Sequence, residues 1–170
     1  MSSNNSREWF ESTMKWFKDT YGKHFEDISD IHDWKLLESA AIYRKHTGDL
    51  DGAIEAMTKA IGLTRNVPAL AEKTCSMLNY LAAELFECKE EHDRAEEAIR
   101  EALQLSADLP SSIHGDNLLI LARLQFAKGQ YREALASAVR AREVHQNRGH
   151  AHGVAQAAEL LEKINANIQD

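Results

Sequence analysis

Proline and glycine are scarce in this chain, two and eight among 170 residues, well under the roughly 12% that the two usually supply together. So few turn-formers leave room for few connections, which excludes a many-stranded sandwich or barrel and favours long helices. Cysteine is nearly absent: Cys75 and Cys88 stand alone, without CxxC or metal-ligand spacing. On one helix they would lie ~20 Å apart, too far to bridge, so both are expected as reduced thiols. No run approaches the ~18 apolar residues of a membrane span. Residues 1–6 (MSSNNS) show no basic stretch leading into an apolar one, so no secretory leader is expected and a cytoplasmic location is. Positive charge is in deficit, with 20 Lys+Arg against 27 Asp+Glu and a formal charge of −7. That balance disfavours gripping nucleic-acid phosphates or an anionic membrane, and neither is expected as a partner.

Catalytic signatures are missing too. There is no GxSxG elbow, no HExxH and no phosphate-cradling glycine loop. The neighbouring carboxylates Glu90-Glu91 and Glu96-Glu97 point about 100° apart on a helix and cannot share a site. An enzyme is not expected, nor a catalytic residue, a cofactor or a bound metal. What is present, 44% hydrophobic and 28% charged residues, is ordinary for a globular domain.

The chain repeats itself. Three segments end one helix, turn on a short polar link and open another with alanine at a fixed offset. The first runs from Ala40-Ala41 through Tyr43, Gly48 and Asp49 to Ala53-Ile54. The second has Ala82-Ala83, Phe86, then Ala95, Ile99 and Ala102. The third has Leu121-Ala122, Phe126, Gly129, then Ala134, Ala138 and Ala141. The opening alanines Ala53, Ala95 and Ala134 are 42 and 39 residues apart. Small residues at these points let antiparallel helices approach closely; Tyr43, Phe86, Leu124, Ile54 and Ile99 fill the seam. Gly48 is placed to end one helix and Asp49 to N-cap the next. One such hairpin cannot bury its apolar face alone, but a stack can.

These segments resemble tetratricopeptide repeats, whose unit is about 34 residues; the longer period here is similar to the subgroup of kinesin light chains and some bacterial regulators. The first segment carries one extra residue between Tyr43 and Gly48. The resemblance covers about residues 32–168 and implies an all-α solenoid of helix hairpins, about 3.5 repeats, plus an extra N-terminal helix. Helices are expected at 7–20, 31–47, 50–65, 69–89, 92–106, 112–128, 131–146 and 150–168, grouped as repeats 32–66, 69–107 and 112–147 with a closing helix. Residues 1–27 form a separate aromatic-rich segment holding six of the twelve aromatics. Phe10, Met14, Phe17 and Tyr21 share one helical stripe, read as a cap on the first hairpin or as an anchor for a partner or second protomer.

The resemblance also implies a concave groove lined by the first helix of each repeat. Carried over by position, its residues are Leu37 and Arg44, then Met77, Tyr80, Leu81 and Glu84, then Leu119, Ile120, Arg123 and Phe126. The Lys/Asn/Arg clamp of chaperone-binding members is absent, its positions holding Leu37, Ala41, Leu81 or Met77, and Ile120 or Asp116. The expected groove is apolar. Either it receives a peptide or helix of a partner protein, or longer first helices pack tightly and bury it.

Two further features stand out. His145, His150 and His152 cluster around a glycine turn, but their spacing straddles it with no nearby Cys or fixed carboxylate pair. A solvated loop is expected there rather than a metal site. Residues 84–101 hold eight acids and three bases, and 123–148 hold six bases and two acids. These segments either attract within the monomer or support self-association. The leading expectation is a non-catalytic interaction module; a bacterial-type peptide- or ligand-sensing regulator and a self-associating scaffold subunit are the alternatives.

Overall fold

The computed structural model describes Ser12, Lys15, Asp19, Thr20, Phe25 and residues 27–168. Among the described residues there are seven α-helices and no strand: α1 (Trp34–His46), α2 (Leu50–Thr64), α3 (Ala71–Glu87), α4 (His92–Ser106), α5 (Ile113–Ala127), α6 (Tyr131–Asn147) and α7 (Ala151–Ile168). The all-α class read from the sequence is the class observed. Pro68 opens a short 3-10 turn, Pro68–Leu70, rather than the first turn of α3 itself. The aromatic stripe of Phe10, Met14, Phe17 and Tyr21, and any capping role for it, lie outside the described residues. The chain forms two compact units, Met1–Leu63 and Thr64–Asp170, taken in turn.

In the first unit, Asp33 caps α1 by accepting the Lys35 N–H at 2.8 Å. The helix ends at Gly48 with φ +89°, where the Asp49 N–H donates back to the Arg44 carbonyl at 2.9 Å. Asp49 then caps α2 through its carboxylate, which accepts the Gly52 N–H at 2.9 Å. One residue therefore closes one helix and opens the next, as the sequence implied. Ala40, Ala41, Ala53, Ala56 and Ala60 are wholly buried. Arg44 is buried with them: its Nε donates to the Phe25 carbonyl at 2.8 Å and its Nη1 to the Gly52 carbonyl at 3.1 Å. Lys59 donates to the carbonyls of Ile28 and Ser29, so two cations hold Phe25, Ile28 and Ser29 against the α1 and α2 residues.

In the second unit, consecutive helices α3 to α7 pack on one another, and α5 also touches α3 and α7. Ala95, Ala122 and Ala134 are wholly buried, the small-residue contacts that the period demanded; on α3 the wholly buried alanine is Ala82, and Ala83 is half-buried. Leu118, Leu119, Leu160, Leu161 and Ile164 close around Ala134, Ala138, Ala141 and Ala157. Each Leu or Ile buried in this way contributes about 1.5–3 kcal/mol. The turns after α5 and α6 repeat the turn after α1: Gly129 and Gly149 take φ +73° and +68°. Beyond them, the Gln130 and His150 N–H groups donate to the Gln125 and His145 carbonyls, both at 2.9 Å. The turn after α3 uses Glu90 at φ +56° instead. Lys128 bridges Asp93 at 3.0 Å and Glu96 at 2.8 Å, and Arg123 lies 3.9 Å from Glu87. The acidic and basic segments thus attract each other within the monomer.

Candidate functional site

The first helices α3, α5 and α7 enclose a cleft of about 280 Å³. From α5, Ile113, Leu119 and Ile120 supply apolar surface, while Asp116 and Arg123 add one charge of each sign. Ser76 and Asn79 of α3 and Gln156 of α7 complete the lining with neutral polar groups. Leu119 and Ile120 are buried residues of the stack, so the floor is rigid. Asn79 is fixed by donating to the carboxamide oxygen of Asn117 at 3.0 Å. Asn117, wholly buried, donates in turn to the Ser106 hydroxyl at 3.1 Å, and that hydroxyl sits 2.9 Å from His114 Nδ1. Burial, and secondarily the nearby Arg140 charge, hold His114 below its ordinary pKa. A polar chain inside the stack thus sets the rim of the cleft.

Three of the ten residues expected to line the groove do so: Leu119, Ile120 and Arg123. Met77, Leu81 and Glu84 of α3 are buried, as tight packing of long first helices would have it. Tyr80 is half-buried, and burial first, then Glu84 and Cys88, push its phenol up to about 12. Phe126 packs against the α5–α6–α7 core with its ring 5.5 Å from Tyr131. Leu37 is wholly buried in the first unit, where Arg44 is engaged as described. Within the second unit, the cleft joins Leu119, Ile120 and Arg123 to a polar rim. Ser76, Asn79 and Gln156 were not singled out from the sequence, because a small or amide side chain on a helix reads as solvated surface. Cys75 is buried and its thiol is pushed up to about 11, mainly by burial; it is an inert packing residue.

A second constellation adjoins the cleft and corrects the expectation of a solvated histidine loop. The Gly149 turn folds His150 back over the last turn of α6, so that His145 Nδ1 and His150 Nδ1 lie 3.1 Å apart. His145 has no exposed surface. Its ring is held between two helical glycines: a Cβ on Gly115 of α5 would stand 2.7 Å from its Cε1, and one on Gly153 of α7 would stand 2.5 Å from its Cγ. The other ring nitrogen, Nε2, faces Asp116 Oδ1 at 3.6 Å and has no hydrogen-bond partner. Burial lowers the His145 pKa against the opposing pull of Asp116. Ligand atoms of Asp116, His145 and His150 all fall within 4.8 Å of one another. The carboxylate comes from α5, the first helix of the same repeat, far from the histidines in sequence.

No family model matches the chain, and no curated protein matches it. Among solved structures, BtubC (BKLC) from P. vanneervenii superposes with a TM-score of 0.67 at 17% identity, covering 95% of this chain and 72% of that one. MamA superposes with a TM-score of 0.57 at 16% identity, covering 99% and 96%. Both are tetratricopeptide-like helical solenoids. At these identities the likeness is one of fold, and it agrees with the repeats read from the sequence.

Proposed function

We propose, proceeding from this tetratricopeptide-like fold, that the chain is a non-catalytic interaction module holding a short extended segment of a partner protein in the α3–α5–α7 cleft. The observation that carries this reading is the lining of the cleft: apolar floor residues Leu119 and Ile120 under a rim of Ser76, Asn79, Asp116, Arg123 and Gln156. An extended peptide offers the complement, an apolar side chain for the floor and unpaired backbone N–H and C=O groups for the amides above it. The volume of about 280 Å³ falls just below the ~300–1,000 Å³ of ligand clefts, which suits one or two side chains better than a large cofactor.

Substituting Ser76→Arg together with Gln156→Arg fills the cleft from two rims without touching the core. Quantitative capture from native lysate is expected to lose one discrete partner with the double variant while the melting temperature stays near that of the wild type. Undiminished capture of every partner by a folded double variant would overturn the assignment of the cleft.

A further inference from the structure

We propose that His145 and His150 form a binding site for one divalent transition-metal ion of the zinc class, with Asp116 as the positioning carboxylate. The site is built by the fold rather than by local sequence. His145 is the third residue from the end of α6, and His150 is the residue whose N–H returns to its carbonyl at 2.9 Å across the Gly149 turn. This pair of positions ordinarily carries a hydrophobic contact; here it carries two imidazoles with Nδ1 atoms 3.1 Å apart. Two nitrogens bound to one tetrahedral ion at 2.0–2.1 Å are separated by about 3.3 Å, so the rings need to part by only a fraction of an ångström.

The protonation pattern fits an ion as well. His145 Nε2 faces the Asp116 carboxylate, so electrostatics place the proton of neutral His145 on Nε2 and leave a lone pair on Nδ1. His150 Nδ1 then donates to that lone pair. An ion inserted between them takes the His145 lone pair directly, and His150 moves its proton from Nδ1 to Nε2, so no net proton is gained or lost. Asp116 stays outside the coordination sphere and holds the ring through Nε2–H, the carboxylate–histidine–metal arrangement that orients imidazole ligands. At 3.6 Å the Nε2–Asp116 contact is too long for a hydrogen bond. A buried polar atom is thereby left without a partner, and it gains one if the ring shifts towards Asp116 as the ion enters. Imidazole ligands select Zn²⁺, Co²⁺, Ni²⁺ or Cu²⁺ over Mg²⁺ and Ca²⁺.

The test is titration of tag-free, full-length protein with Zn²⁺ by calorimetry, with Co²⁺ absorption as the spectroscopic probe. One saturable ion per chain is expected, accompanied by a rise in melting temperature because the ion binds the folded chain. His150→Ala, at a half-buried turn position, is expected to abolish that event while the apo protein keeps its helical content. Asp116→Asn is expected to weaken Zn²⁺ by ~10–100-fold and to leave the shape of the Co²⁺ spectrum unchanged, because no ligand is lost. His152→Ala, on the exposed side, is expected to leave the affinity unchanged. Absence of saturable binding, or binding that survives His150→Ala undiminished, overturns the site. A loss on Asp116→Asn as complete as that on His150→Ala, with an altered Co²⁺ spectrum, overturns the positioning role.

Discussion

His145 and His150 meet Nδ1 to Nδ1 at 3.1 Å because one left-handed residue, Gly149, turns the chain at the end of α6. The same turn places Asp49 beside Arg44, with Oδ2 3.8 Å from Nε, and brings Gln130 back to Gln125 through its backbone N–H. One repeating backbone device therefore presents a different polar pair at each of these three glycine turns. In the last repeat, two helical glycines from neighbouring elements clear the space for one member of that pair.

The glycines give a prediction with an unusual sign. In an ordinary helix interior Gly→Ala stabilises by ~1 kcal/mol. Gly153→Ala would instead drive a methyl into the His145 ring, and overpacking of this kind costs about 1–3 kcal/mol. Chemical denaturation is expected to show lower stability for Gly153→Ala. Adding His145→Ala should recover part of the loss, a coupling that a double-mutant cycle measures.

Glu90 offers the opposite case. It is the non-glycine residue with positive φ among the described residues, at the place where the other turns use Gly48, Gly129 and Gly149. A side chain in this conformation costs about 1–2 kcal/mol. Against the extra freedom that glycine brings to the unfolded chain, Glu90→Gly should raise stability by ~0.5–1 kcal/mol, read as a higher denaturation midpoint with an unchanged m-value.

Phe126 separates core from cleft. Its ring packs on the α5–α6–α7 cluster and against Tyr131, so Phe126→Ala should lower stability by ~2–4 kcal/mol, somewhat below the full cost of truncating a wholly buried Phe. An unchanged melting temperature would place the ring outside the core.

The repeat and its seams were legible because they follow from spacing. Ala95 and Ala134 are wholly buried where a period of about 40 residues put them, and Asp49 caps α2 as its position after Gly48 implied. The cleft was only partly legible. Leu119, Ile120 and Arg123 fell in place because α5 is central to the second unit and its register is fixed by Ala122. Met77 and Leu81 did not, because the depth to which long first helices interpenetrate depends on packing between helices far apart in sequence. The histidine constellation was hidden for the same reason: Asp116 approaches His145 only once α5 and α6 have packed, and Gly153 meets the ring only when α7 joins them. The trace left in the sequence was Gly115 and Gly153, glycines inside helices, which mark close approach by a neighbouring side chain.

The most direct test of a partner-binding cleft is site-specific photo-crosslinking. A photoreactive side chain at position 76 on α3 or position 156 on α7, both on the cleft rim, is expected to trap the same partner segment. The same probe at exposed positions 104 on α4 and 136 on α6 is expected to trap none of it. Partner adducts that form from positions 104 and 136 but not from 76 and 156 would contradict the account and move the interface to the second helices of the repeats.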